Sequence, residues 1–184
     1  MSERVLIAGG TVIDPATKRE GRFDVLVADG AIQEIQPSIP SKNGMKRLEA
    51  SGKLVVPGFV DVHVHFRQPG REDKETIETG SRAAVRGGFV AVCPMPNTEP
   101  AIDHRGAVEW VCQEAKRVGA VDVHPIGALT KGQQGKELTD FSELFEAGCI
   151  GLSDDGKALL DPLLMRRALE YAKIFGRPVI QHAE

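Results

Sequence analysis

The chain has 184 residues, of which 41% are hydrophobic and 27% are charged, and its net charge is −3 at pH 7. This composition is typical of a globular protein and excludes a disordered or membrane-spanning chain. Because acidic and basic residues are interspersed, no binding surface for nucleic acid or for an anionic membrane is predicted. The first residues lack the basic and apolar regions of a signal peptide, so we expect a cytoplasmic protein.

Short extended segments make up residues 1–56. The dipeptide Asp29-Gly30 separates two apolar segments and predicts a hairpin, because Asp-Gly favours the tight turns between antiparallel strands. Gly9-Gly10 and residues 37–44 are expected to form further turns. We therefore predict a small antiparallel sheet module that carries no chemistry of its own.

An alternation of strands and helices follows Pro57-Gly58. Short apolar runs predict the strands, and helical periodicity predicts the helices. The predicted strands lie at residues 59–64, 89–93, 121–126, 149–152 and 178–181, and the predicted helices at residues 74–86, 104–118, 141–147 and 162–175. Five strands in series with intervening helices predict a parallel sheet or a barrel.

Polar side chains follow the predicted strands at the point where each strand ends. They are His63, His65 and Arg67 at the first strand, Asn97 after the second, Asp154 and Asp155 after the fourth, and His182 after the fifth. This placement is typical of the active face of a barrel enzyme. A doubly wound sheet would instead carry a glycine-rich loop between a strand and a helix, whereas Gly87-Gly88 joins a helix to a strand.

The histidine pair indicates a metal site. A lone histidine is more often a surface residue or a hydrogen-bonded core residue. His63 and His65, however, alternate along one strand, so both imidazoles project from the same side. Imidazole and carboxylate ligands suit zinc or a similar divalent ion, and a catalytic site keeps one position open for water. Hydrolysis of an amide-like bond is the reaction class that we expect.

Arg67 and Asn97 are candidate substrate-binding residues. Arg67 is expected to alternate onto the same side as His65, where its guanidinium could bind a substrate carboxylate with two hydrogen bonds. The alternative for Arg67 is a surface ion pair with Glu72 or Asp73. Asn97 offers an amide donor and acceptor, and its alternative is a plain turn residue.

The three cysteines predict reduced, buried thiols. Cys93, Cys112 and Cys149 are widely spaced and lie in apolar segments. An odd number of cysteines without a CxxC motif fits neither a disulfide framework nor a cysteine zinc site.

Several motifs resemble a known family. The segment PGFVDVHVHFRQPG, the loop in GGFVAVCPMPNTEP, the SDDG sequence and the final QHAE together resemble the amidohydrolase superfamily, and within it the dihydroorotases of the longer bacterial type. The HxH pair alone is shared by many amidohydrolases, while HFRQPG together with MPNT is more specific. The resemblance implies an amidohydrolase-type (β/α)8 barrel whose first five strands occupy residues 57–184. It also implies that residues 1–56 are an incomplete β-sandwich module.

The resemblance also implies roles for the site residues. His63 and His65 match the ligands of the more buried metal, His182 matches a ligand of a second metal, and Arg67 with Asn97 matches the residues that hold the dihydroorotate carboxylate. Most relatives have a carbamylated lysine after strand four. Here the spacing of 27 residues back from His182 selects Asp155 over Asp154 as its replacement, in contact with the metal and its bound water. One or two Zn²⁺ ions are therefore expected.

The implied activity is that of a dihydroorotase, the reversible zinc-dependent cyclisation of N-carbamoyl-L-aspartate to dihydroorotate in de novo pyrimidine biosynthesis. One alternative is another cyclic amidase, such as a hydantoinase or an allantoinase. The other is an inactive dihydroorotase-like subunit that scaffolds aspartate transcarbamoylase. A homo-oligomer is expected.

The family has a further histidine ligand and a proton-transferring aspartate, which correspond to positions beyond residue 184. We therefore expect the chain to be the amino-terminal portion of a longer protein, or to be completed by a second chain. It is expected to be inactive alone.

Overall fold

The computed structural model describes residues 4–183. The chain divides into two compact units, Met1–Pro57 and Gly58–Glu184. Among residues 4–183, no helix is long and apolar enough to cross a membrane.

The first unit is one five-stranded sheet. Its strands are β1 (Arg4–Asp14), β2 (Arg19–Ala28), β3 (Ala31–Gln36), β4 (Met45–Glu49) and β5 (Leu54–Val55). The order is β3-β2-β1-β4, and β5 also pairs with β1. Leu6, Ala8 and Ile39 are buried together and form the small core of this unit.

The predicted hairpin at Asp29-Gly30 is confirmed. β2 and β3 pair antiparallel on either side of this dipeptide. Asp29 and Gly30 have φ angles of 55° and 73°. Positive φ at both central residues is the requirement of the two-residue turn that Asp-Gly favours.

Two other predictions for this unit are wrong. Gly9-Gly10 is not a turn, because β1 continues through it with a bulge against β2. The bulge is stabilised by Asp24, whose carboxylate accepts a hydrogen bond from the Gly9 amide at 2.7 Å. The sheet is also mixed rather than antiparallel, since β4 and β5 both run parallel to β1. β4 was missed because its sequence MKRLE is largely exposed and has no clear apolar alternation.

The second unit alternates strands with helices. Its strands are β6 (Phe59–Val64), β7 (Phe89–Pro94), β8 (Asp122–Val123), β9 (Ile126–Ala128), β10 (Gly151–Ser153) and β11 (Val179–Ile180). Its helices are α1 (Ile77–Arg86), α2 (Arg105–Val118), α3 (Phe141–Ala147) and α4 (Pro162–Ile174), with a 3-10 turn at Lys131–Gln133.

The helix starts follow from side-chain caps. The Thr76 hydroxyl accepts a hydrogen bond from the Thr79 amide, and Thr79 bonds back to the Thr76 amide, so α1 begins three residues after the predicted start at residue 74. Asp161 accepts hydrogen bonds from the Leu163 and Leu164 amides at the start of α4. Each cap satisfies amides that the helix itself cannot pair.

The strands of the second unit are parallel and follow one another in chain order, as β6-β7-β8 and β9-β10-β11. The single strand predicted at residues 121–126 is wrong, because Pro125 divides it. The His124 amide still donates to Val92 O at 2.9 Å, but Pro125 has no amide hydrogen with which to continue the ladder. β8 therefore pairs with β7, and β9 pairs with β10. Sequential order is that of a barrel wall, whereas a doubly wound sheet reverses its order.

Helices α2, α3 and α4 contribute apolar side chains to the main core of this unit. Fully buried core residues include Val108, Leu129, Phe141, Leu144 and Leu152. Phe141 stacks on Tyr171 with a ring separation of 4.5 Å, which ties α3 to α4. On β6, Val60 and Val62 remain exposed on the strand face opposite His63.

Candidate metal centre

The histidine pair lies at the carboxyl end of β6. His63 is the last residue but one of the strand, and His65 follows its last residue, Val64. Strand alternation places both rings on one side, with ring centroids 5.2 Å apart. His63 is half-exposed and His65 is partly buried. Two imidazoles are thus available together at one strand end.

Asp155 reaches this pair from β10, two residues after that strand ends. Its carboxylate lies 3.1 Å from His63 Nε2 and 3.6 Å from His65 Nε2. One ligand atom from each of these residues lies within 4.8 Å of the others, so the three side chains could hold a metal ion. Two neutral nitrogen donors and one carboxylate oxygen are a donor set that zinc accepts, and the residues present therefore fit such an ion.

His182 adds a third imidazole. It follows β11, and its Nδ1 atom lies 3.2 Å from Asp155 Oδ1. The Asp155 side chain is only 5% exposed, so its charge is surrounded by imidazoles rather than by water. A buried carboxylate needs such partners, because desolvation of an unpaired charge is costly.

Asn97 also belongs to this cluster and is more than a turn residue. It follows β7 by three residues. Its Nδ2 atom donates to Asp155 Oδ2 at 3.1 Å, and its Oδ1 atom lies 3.0 Å from His65 Nδ1. The ends of β6, β7, β10 and β11 therefore meet through His63, His65, Asn97, Asp155 and His182.

Arg67, a predicted substrate-binding residue, is not joined to the cluster by any hydrogen bond or ion pair among residues 4–183. β6 ends at Val64, and Arg67 has φ 57°, so the expectation that strand alternation extends to Arg67 is wrong. The alternative for Arg67, a surface ion pair with Glu72 or Asp73, is not observed among residues 4–183 either. Glu72 accepts hydrogen bonds from the Gly70 amide, and Asp73 pairs with Arg71 at 3.6 Å. Within residues 4–183, the Arg67 guanidinium has no hydrogen bond or ion pair.

Asp154 faces away from the histidines. It is 4% exposed, and its Oδ1 atom accepts hydrogen bonds from the Leu129 and Thr130 amides, both at 2.9 Å. Its Oδ2 atom accepts from the Thr130 hydroxyl. Asp155 therefore belongs to the cluster, whereas Asp154 is hydrogen-bonded to the segment that follows β9.

Thr130 and Gln133 were missed by the sequence analysis. Thr130 anchors the loop after β9 to Asp154, and Gln133 Nε2 lies 3.5 Å from the carbonyl oxygen of Asp155. Thr130 comes two residues after the end of β9, so the strand-end pattern that identified Asn97 would also have indicated it. The incorrect strand at residues 121–126 hid that signal.

Parallel strand–helix units in chain order, with side chains that could hold a metal at the strand ends, are the arrangement of an amidohydrolase-type (β/α)8 barrel, here its first part. Solved structures show the same fold. An L-hydantoinase (dihydropyrimidinase) from Arthrobacter aurescens aligns with a TM-score of 0.84 at 21% identity, over 100% of this chain and 41% of that chain. A D-hydantoinase aligns with a TM-score of 0.77 at 23% identity, over 100% and 40%. The predicted fold class is confirmed.

The chain belongs to the dihydro-orotase-like family, whose model matches residues 52–184. Curated relatives named dihydroorotase include proteins of Anaeromyxobacter sp. (strain K), 46% identical over 184 residues, and Acetivibrio thermocellus, 49% identical over 180 residues. These alignments cover 100% and 98% of this chain. The chain spans 42% of the length of each of these two relatives.

Proposed function

We propose that the complete protein containing this chain is a dihydroorotase that interconverts N-carbamoyl-L-aspartate and dihydroorotate. The observation that carries the proposal is the convergence of His63, His65 and Asp155 at the strand ends of a chain that is 46% identical to a dihydroorotase. A cytoplasmic enzyme of pyrimidine synthesis follows from this assignment. A homo-oligomer and an association with aspartate transcarbamoylase stay predictions.

We propose in addition that residues 1–56 are an incomplete β-sandwich module and that residues 57–184 are the first part of the barrel. The division of the chain after Pro57 supports these limits. The sheet of the first unit ends with β5 at Val55, just before the first barrel strand begins at Phe59.

His63, His65 and Asp155 would hold the ion, for which we propose zinc, and His182 beside Asp155 would serve a second ion where two are bound. When bound, zinc polarises a carbonyl group and lowers the pKa of a bound water to about 7. Asp155 supplies the negative charge of the set, and it comes from a different strand than the two histidines. Through these ligands a bound ion would link the end of β6 to the end of β10 and would hold the site in one orientation for the substrate.

Arg67 would bind the substrate. Carbamoyl-aspartate and dihydroorotate both carry carboxylates, and recognition of a carboxylate calls for an unpaired cation with directed hydrogen-bond donors. Arg67 meets this requirement, because Glu72 and Asp73 bond to other groups. Arg67 lies three residues after the end of β6, in a left-handed backbone conformation, just before the turn at residues 68–70. Asn97 would offer the same carboxylate the second hydrogen of its Nδ2 group, since the first is donated to Asp155.

The proposal is tested by assaying the complete protein with dihydroorotate before and after removal of metal with a chelator. We expect activity to disappear with the metal and to return on addition of zinc. The variant Arg67→Lys keeps the charge but not the two-pronged geometry, and it should raise KM for dihydroorotate more than it lowers kcat. Hydrolysis of hydantoin without hydrolysis of dihydroorotate would overturn the assignment.

A further inference from the structure

We propose that Asn97 is a positioning residue for the metal ligands themselves, which fixes the protonated nitrogen of His65 and the orientation of the Asp155 carboxylate. This inference rests on the proposed metal site. It gives Asn97 a task that differs from the substrate contact predicted for it, because both of its hydrogen bonds are to metal-binding side chains.

The orientation of the Asn97 amide follows from Asp155. An ionised carboxylate can only accept hydrogen bonds, so the amide group that faces it must be the NH₂ donor. Asn97 Nδ2 lies 3.1 Å from Asp155 Oδ2. With Nδ2 facing Asp155, the other polar atom of the amide, Oδ1, is the one that faces His65.

The amide oxygen then determines the tautomer of His65. Asn97 Oδ1 lies 3.0 Å from His65 Nδ1. An amide oxygen only accepts hydrogen bonds, so Nδ1 of His65 must carry the proton. A neutral imidazole has one proton, which leaves the lone pair on Nε2. That atom lies 3.6 Å from Asp155 Oδ2, on the side where the ligand atoms converge. Asn97 thus presents the correct nitrogen of His65 to a metal.

The backbone around Asn97 holds the amide in place. Asn97 follows the buried segment Pro94-Met95-Pro96. The Met95 amide donates to Val64 O, at the end of β6, at 2.9 Å. The Pro96 carbonyl accepts hydrogen bonds from the Thr98 amide at 2.9 Å and the Ile102 amide at 3.2 Å. A side chain on such a fixed loop can orient its neighbours, since its own conformation is already restricted.

Loss of the amide should weaken metal binding. In Asn97→Leu, the His65 ring is no longer held in one tautomer, and Asp155 Oδ2 loses a donor. Loss of an outer partner of metal ligands lowers metal affinity by about 10-fold to 100-fold. A residue that only contacts the substrate would raise KM and leave the zinc affinity unchanged.

The test measures zinc affinity of the complete, metal-stripped protein by competition with a chromophoric chelator. We expect Asn97→Leu to weaken the affinity by about 10-fold to 100-fold. Thr98→Val serves as the matched control. It removes the hydroxyl that donates to Pro100 O in the same loop but touches no ligand, and it should leave the zinc affinity unchanged. An unchanged affinity in Asn97→Leu would overturn the inference. If His63→Ala also leaves the affinity unchanged, the metal site of the proposed function fails with it.

A second measurement needs no substitution of Asn97. Nitrogen-15 NMR of the histidine rings in the zinc-loaded wild-type protein, with the His65 signal assigned through His65→Gln, reports which nitrogen carries the proton. We expect a proton on Nδ1 of His65. A proton on Nε2 would contradict the hydrogen-bond geometry from which the inference is drawn, even if Asn97→Leu fails to fold.

Discussion

Both units of the chain bury aspartates, Asp24 in the first and Asp154 and Asp155 in the second, and the partners of these carboxylates differ. In the first unit, Asp24 accepts hydrogen bonds from the Gly9 and Ile39 amides, at 2.7 Å and 2.9 Å. In the second unit, Asp154 likewise accepts from backbone amides, whereas its neighbour Asp155 contacts three imidazoles and an amide side chain. A carboxylate bonded to backbone amides holds the fold, and one surrounded by imidazoles is available for a metal.

Removal of Asp155 should have the largest functional effect. Asp155→Ala deletes the charged ligand, and metal affinity and activity should fall by more than the roughly 100-fold upper range expected for an outer-shell partner. The fold should change little, because the imidazoles left behind are partly accessible to water. Zinc content after dialysis and activity on dihydroorotate check this prediction. Retention of wild-type zinc content by the variant would contradict it.

Removal of Asp154 should lower stability rather than metal affinity. Asp154→Ala leaves two amides and the Thr130 hydroxyl without their acceptor. At roughly 1 kcal/mol for each unsatisfied donor, the loss is at least about 3 kcal/mol of stability. Urea denaturation of the complete protein measures this loss. Asp154→Asn is the matched control and should lose less, since its amide oxygen can still accept from the backbone.

Removal of Asp24 should also lower stability rather than metal affinity, and the loss of stability should be smaller. Asp24→Ala removes the acceptor of two amides, for a loss of about 2 kcal/mol. Because Asp24 lies in the unit without candidate site residues, kcat and KM should remain those of the wild type at temperatures where the variant is folded. A change in zinc affinity in this variant would break the distinction between the two kinds of buried aspartate.

The smallest expected effect concerns the reactivity of the cysteine thiols. Cys149 is buried, and burial raises the pKa of its thiol well above the ordinary value. Cys112 is only partly buried, and burial raises its pKa too. The folded state favours the neutral thiol of Cys149. The stability that this preference contributes is fully present below the ordinary thiol pKa and is lost as the pH rises above that value. We expect Cys112 to react with a thiol reagent before Cys149, as mass spectrometry of the labelled native protein would report. Faster labelling of Cys149 would contradict this burial.

The strand-end cluster could be predicted from the sequence because it depends on local patterns. Apolar runs placed β6 and β10 within two residues of their observed limits, and His63 and Asp155 followed from those limits. The division of the third predicted strand could also be predicted from the sequence, since a proline cannot donate a hydrogen bond to a neighbouring strand. Pro125 carries that signal in the sequence.

The features that could not be predicted depend on contacts between residues distant in sequence or on where a strand ends. The bulge at Gly9 requires the Asp24 carboxylate, 15 residues away. The orientation of the Asn97 amide is set by Asp155, 58 residues away, which no local pattern reports. The position of Arg67 depends on where β6 ends and on the left-handed conformation that follows, so extending the strand alternation to it failed.

Anomalous diffraction at the zinc edge, from crystals of the complete protein, would show whether His63, His65 and Asp155 form one metal site. We expect an ion about 2.0–2.1 Å from a nitrogen of each histidine and about 2.0–2.2 Å from an Asp155 oxygen. Zinc-loaded crystals in which these three side chains remain bonded only to one another, with the ion elsewhere, would contradict it.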